Sequence, residues 1–158
     1  MVIFLRVDER LIHGQVALSW NQQLSPDAIV VINDAIMHDE IQKIAIKMAK
    51  PSNVKLAIKN VKDGIELLNN PQTEKMRLFV VVRNTRDALE IVKNVKGIKE
   101  VNVGGMTKKT FETIQIASYL YVTKEDIDNL KEIQNYVDFI DCRVVPGNKK
   151  CDIFKLIK

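Results

Sequence analysis

Across 158 residues there are two cysteines, two histidines and one tryptophan, and aromatic residues make up 6% of the chain. Cys142 and Cys151 form no CxxC pair. That excludes a disulfide framework and leaves no thiolate set for zinc, so they read as two reduced thiols near the end of the chain. No apolar run nears the roughly 18 residues of a membrane span. The opening Met1-Val2-Ile3-Phe4-Leu5 is cut off by Arg6 and is too short for a signal peptide, so a cytoplasmic location is expected. No GxGxxG follows this first apolar run and no GxxxxGK[ST] occurs anywhere, which excludes the common dinucleotide and P-loop fingerprints. Aromatic and basic residues are not interleaved and the net charge of +4 is modest, so no nucleic-acid partner is expected. There is no internal repeat, linker or low-complexity segment.

What is present is ordinary globular composition, 46% apolar and 28% charged, at a length that suits one domain spanning residues 1–158. Val2 to Val7, Ala28 to Ile32 and Leu78 to Val82 are short continuous apolar runs, the pattern of strands covered on both faces. Val54 to Ile58 and Val101 to Val103 read as further strands. Between them, Gln15 to Leu24, Asp39 to Lys50, Val61 to Leu68 and the stretch after Thr85 carry apolar residues at helical spacing. In the second of these helices the packing stripe is read as Ile41, Ile44, Ala45, Met48 and Ala49. Ile114 to Val122, with Tyr119 and Tyr121, suggests extended structure. Thr123 to Asp126 resembles a capping box for a helix reaching Gln134. Val137 to Val145 nearly alternates and suits an edge or antiparallel strand. The order predicts a three-layer α/β/α sandwich with an open, mostly parallel sheet and an antiparallel edge strand.

One segment stands out for its chemistry. Arg6-Val7-Asp8-Glu9-Arg10-Leu11-Ile12-His13-Gly14-Gln15 lies where the first strand gives way to the first helix, and in open α/β sheets ligands gather at the carboxyl ends of strands. An imidazole with an ordinary pKa of about 6.5 is a nucleophile near neutrality. It works best when one nitrogen is held as a donor, a task for Asp8 or a backbone carbonyl. Arg10 can neutralise phosphoryl oxygens. Gly14 lets the backbone approach, and the N–H groups of Gly14, Gln15 and Val16 at a helix start suit an anion. Asn33-Asp34 ends the second strand. Gly104-Gly105-Met106 follows a later one, either as a plain turn or as phosphate donors. Met106 is read as an interface contact in preference to a core residue. Arg6 and Arg10 equally suit structural salt bridges with Asp8, Glu9 or the C-terminal segment. His38 reads as an exposed helix start, and Trp20 as a packing residue.

Asp8-Glu9-Arg10-Leu11-Ile12-His13-Gly14-Gln15-Val16 resembles the active-site loop of the IIB components of the mannose/fructose/sorbose family of the bacterial phosphoenolpyruvate-dependent sugar phosphotransferase system. Asn102-Val103-Gly104-Gly105-Met106 resembles that family's second glycine loop, and the resemblance covers essentially the whole chain. Glu9 stands where aspartate is common, and Thr107-Lys108-Lys109-Thr110-Phe111 has no downstream glycine. The resemblance implies a separate IIB polypeptide acting as a protein-N(pi)-phosphohistidine–sugar phosphotransferase. His13 would accept a phosphoryl group from the phosphohistidine of a IIA protein, with Arg10 and Asp8 beside it. The group would pass to a sugar entering through IIC and IID membrane components. Phosphoryl-binding or partner-docking roles fall to Arg6, Gly14, Gln15, Asn33, Asp34, Gly104, Gly105 and Met106. No metal or cofactor is called for. Two other readings stay open: a non-catalytic adaptor on the same fold, and a small enzyme acting on a phosphorylated metabolite in a deep pocket.

Overall fold

A computed structural model describes residues 1–109 and 112–157. Its elements run β1 (Val2–Asp8), α1 (Gly14–Leu24), β2 (Ala28–Ile32), α2 (Glu40–Ala49), β3 (Lys55–Lys59), α3 (Val61–Asn69), β4 (Leu78–Val82), α4 (Thr85–Asn94), β5 (Glu100–Gly105), β6 (Ile114–Ala117), β7 (Leu120–Val122), α5 (Lys124–Ile133) and β8 (Phe139–Asp141). The main sheet has the order β3-β2-β4-β1-β5-β8, and all its pairings are parallel. β2 and β4 are buried at every position, as continuous apolar runs covered on both faces require.

The two faces of the sheet carry separate cores. Phe4, Ile29, Val31, Phe79 and Val81 pack with Ala17 and Trp20 of α1 and Ile46 of α2. Leu5, Val7, Val30, Val80, Val101 and Val103 point the other way, into a larger cluster with Leu68 of α3, Ala88 and Ile91 of α4, and Leu130 of α5. This is the expected three-layer sandwich. Each fully buried aliphatic side chain contributes about 1.5–3 kcal/mol, and the period-two alternation along β1 assigns each residue to its face.

The antiparallel part is a separate hairpin, β6 with β7, together with an antiparallel bridge between Asp141 and Asp152. β8 is an edge strand as expected, but it runs parallel to β5. The capping box over Thr123 and Asp126 forms with both reciprocal bonds. Gly97, just past α4, has φ +89, the left-handed conformation that glycine tolerates best.

The stripe expected on α2 is corrected. Ile41, Ile44 and Met48 are 81%, 55% and 81% exposed, while Ile46 is the buried residue. Apolar residues occupy two faces of α2, and the sheet takes the face of Ile46. Met106 is also corrected from interface to core. It is 1% exposed and held in the hairpin by bonds from its N–H to Tyr119 O (3.1 Å) and from Tyr121 N–H to its carbonyl (2.9 Å).

Candidate functional site

β1 is central in the sheet, and its carboxyl end is flanked by the ends of β4 and β5. The loop leaving it is tightly braced. The Glu9 N–H donates to Gly105 O at 3.1 Å, and the Leu11 N–H to Asp8 O at 2.9 Å. Leu11 takes φ +58, an uncommon conformation that its burial together with Ile12 holds in place. With Leu11 and Ile12 anchored inward, Arg10 is left exposed. Arg83, one residue past β4, ties the loop to α2. Its Nε donates to Glu9 O (3.1 Å) and its Nη2 to Gln42 Oε1 (2.6 Å). A groove of about 320 Å³ lined by Arg10, Leu11, Ala45 and Arg83 lies alongside.

His13 is the N-cap of α1, but its ring does not cap the helix. Instead its Nε2 lies 3.0 Å from Asp8 Oδ2, and the side chain keeps 20% exposure. Asp8 itself is 1% exposed. Its Oδ1 accepts from the Arg10 N–H (3.0 Å) and its Oδ2 from Arg6 Nη2 (3.0 Å). Burial pushes the Asp8 carboxyl up, but the hydrogen bond with His13, the Arg6 charge and the Arg10 N–H together hold it below its ordinary value. An ionised carboxylate only accepts, so Nε2 is the protonated nitrogen and the lone pair of the neutral ring is on Nδ1. Gly14 has φ +44, and a Cβ built on it meets nothing within 4 Å. Glycine there serves the turn into α1, whose positive φ it tolerates best, and the space beside it is open. Gly14, Gln15 and Val16 begin α1, where N–H groups have no intrahelical acceptor.

Other expected residues fall elsewhere. Arg6 is 2% exposed and meets the loop through its hydrogen bond to Asp8. A Cβ on Gly104 would lie 2.1 Å from the Arg6 guanidinium, whereas one on Gly105 would make ordinary contact with Asp8. Gly104 is therefore the floor of the Arg6 slot. Asn33 Oδ1 accepts from the Ile36 N–H (3.0 Å) and Asp34 Oδ1 from the Val61 N–H (2.9 Å). They brace turns at the end of β2, two strands from β1, and share no hydrogen bond with His13 there. His38 is exposed. Cys142 is fully buried and its thiol donates to Cys151 O at 3.3 Å; burial pushes that thiol well up, keeping it protonated.

Sequence reasoning missed Asn102, Asp141, Arg143, Arg83 and the ties of Glu9 to Thr107 and Lys109. Glu9 Oε2 accepts from the Thr107 N–H (2.9 Å) and Oγ1 (2.6 Å), and Oε1 pairs with Lys109 (2.9 Å). Thr110 and Phe111, the rest of that segment, lie outside the described residues. The signal for Asn102 was a lone amide inside the apolar strand Val101-Asn102-Val103.

The fold is thus a parallel α/β sheet that presents carboxylate, imidazole and guanidinium on one braced loop at the end of a central strand. The model of the sorbose subfamily IIB component of the phosphotransferase system matches residues 2–158. A probable phosphotransferase enzyme IIB component of Streptococcus pyogenes is 34% identical over 99% of both chains. The mannose-specific EIIAB component of Escherichia coli is 31% identical over 99% of this chain and 49% of its own length. The crystal structure of the IIBSor domain of the Klebsiella pneumoniae sorbose permease superposes with a TM-score of 0.93 at 26% identity, covering 99% of this chain and 96% of that one. The chain belongs to the sorbose-subfamily IIB components of the phosphotransferase system, which are phosphoryl carriers.

These findings correct the narrower expectation of acceptance on His13 by a phosphohistidine–sugar phosphotransferase. They give the component and the system, and none names a histidine as the residue that takes the phosphoryl group. The assignment to His13 is set aside for the coarser one, a IIB phosphoryl carrier.

Proposed function

We propose that this carrier handles its phosphoryl group at the loop from Asp8 to Gln15, with Arg10 neutralising the travelling charge, Asp8 and His13 forming the polar floor, and the first N–H groups of α1 completing the cradle. The observation that carries this is the buried, ionised Asp8 paired with half-buried His13 at 3.0 Å, next to an exposed Arg10. Buried charge is costly on its own, and Asp8 offsets that cost with three donors while Arg10 and part of the His13 ring stay open to an arriving group. Fixed N–H groups and a guanidinium stabilise charge as it moves between partners, and a single such donor is commonly worth ~10²–10³ in rate.

In this reading the donor is a IIA protein or domain of the same system. The recipient is a sugar at IIC and IID membrane components, met at the cytoplasmic face. The E. coli relative is named for a joined IIA and IIB unit, which supports a IIA donor. No helix among the described residues is long and apolar enough to cross a membrane, in keeping with a carrier that docks transiently. Which sugar is carried is a property for the membrane partners to decide.

The test is transfer from radiolabelled phosphoenolpyruvate through enzyme I, HPr and a IIA protein to the purified chain. Arg10→Ala should slow labelling about 10²-fold, with the fold intact by circular dichroism. The linkage is read from acid and alkali lability and from His13→Ala, Cys142→Ser and Cys151→Ser variants. Label that tolerates every substitution in the loop, or that vanishes only with a cysteine, overturns the loop as the site.

A further inference from the structure

β1, β5 and β8 lie side by side, and their register sets Arg6 beside Asn102 and Asn102 beside Asp141. The result is a polar row across three strands at 2%, 0% and 0% exposure. Asp141 Oδ2 accepts from Asn102 Nδ2 (2.8 Å) and from Arg143 Nε (2.8 Å). Asn102 Nδ2 also donates to Arg143 O (3.0 Å). Asn102 Oδ1 accepts from Arg6 Nη1, and Arg6 Nη2 donates to Asp8 Oδ2 (3.0 Å), the oxygen that faces His13 Nε2. Trp20 lies against both guanidiniums, 5.5 Å from Arg6 and 5.4 Å from Arg143.

Each link has only one chemical sense. Asp141 and the Arg143 carbonyl are acceptors, so the Asn102 NH₂ must face them. The Asn102 oxygen is then left for Arg6, which only donates. Arg6 is thus aimed at Asp8, which only accepts. A buried ionic row of this kind is weak evidence for stability, since apolar replacements of similar shape often do as well or better. Its output end is more informative: the last shared atom is the oxygen that holds the imidazole.

We propose that Arg6, Asn102 and Asp141 are positioning residues that act through Asp8 to fix the His13 ring with its Nε2–H donated inward and its lone pair on Nδ1. Gly104 belongs to the device because any side chain there would evict the Arg6 guanidinium. The purpose of a fixed ring rests on the loop being the phosphoryl site, but the ring state is a property of the free chain and is measured without a partner.

The experiment is ¹⁵N–¹H NMR of the full chain with labelled histidine. There are two histidines, and His38→Gln assigns them. His13 should show a slowly exchanging Nε2 proton, shifted downfield by the carboxylate; exposed His38 should show none. Asn102→Leu should abolish that signal and let the ring exchange between tautomers, while backbone amide dispersion stays native. Arg6→Lys keeps the charge but loses the fork that spans Asn102 and Asp8, so it should lose the signal too. That variant decides the matter if Asn102→Leu does not fold. A wild-type His13 with no protected Nε2 proton, or a folded variant that retains it, overturns the proposal. A protected proton in a chain that labels normally without the loop would overturn only the phosphoryl site.

Discussion

Asp8 gathers three donors of different kinds on one buried carboxylate: a guanidinium, an imidazole and a backbone N–H. Its folded pKa lies below its ordinary value. The sign of the linkage follows. A depressed carboxylate contributes stability that is fully present above the unfolded pKa, near 3.9, and lost as pH falls from there through the folded value. Glu9 is lowered as well, where burial pushes it up but the hydrogen bonds from Thr107 and the Lys109 ammonium together pull it down, and it adds in the same direction. Asp87 is raised, chiefly by burial, and works against them. Asp8→Asn should therefore cost about 3–5 kcal/mol at neutral pH, because Arg6 is left buried without its partner charge. The variant's urea midpoint should also fall less steeply than wild type between about pH 5 and pH 3. Parallel acid slopes in the two proteins would remove Asp8 as the source.

At the level of elements, α2 separates packing from display. Ile46 is buried against the sheet while Ile41 and Met48 are 81% exposed on the other side. Ile46→Ala should cost about 2–5 kcal/mol, and Ile41→Ser should stay within about 0.5 kcal/mol of wild type, both by urea denaturation. A large loss at Ile41 would mean that its face is covered. The same helix marks where the sequence was legible and where it was not. β2 and β4 were readable to the residue, because an unbroken apolar run between turn residues has one interpretation. The stripe on α4 was readable because its apolar residues Ala88, Leu89, Ile91 and Val92 share one face, and all are buried. Periodicity in α2 gave the helix but not its rotation, since apolar residues fill two faces and only the tertiary contact chooses between them. The loop around His13 and Asp8 was legible as a cluster because its members are near in sequence. Asn102 joins Arg6 across 96 residues and Asp141 joins Asn102 across 39, through strand register that local pattern does not contain.

Over the whole molecule, the carboxyl-terminal segment closes what the open sheet leaves bare. Beyond edge strand β8, Cys142 N–H donates to Cys151 O (3.0 Å) and Cys151 N–H to Asp141 Oδ1 (3.0 Å). Ile153 is fully buried in the larger core. Ending the chain at Lys150 should lower stability by at least the ~2–5 kcal/mol of a buried isoleucine, read as a drop in thermal midpoint. It should also weaken the Asp141 end of the polar row, read as faster exchange of the His13 Nε2 proton. A truncated chain as stable as the full one would reduce the segment to an appendage.

Trp20 is the chain's single tryptophan. It stacks on Phe4 at 4.6 Å, donates from Nε1 to Val144 O at 2.8 Å, and rests against both Arg6 and Arg143. One indole therefore touches the first strand, the last loop and the two cations of the buried row. The protein is born with its own fluorophore at the junction of its two ends, and its emission follows the state of that junction without any added dye.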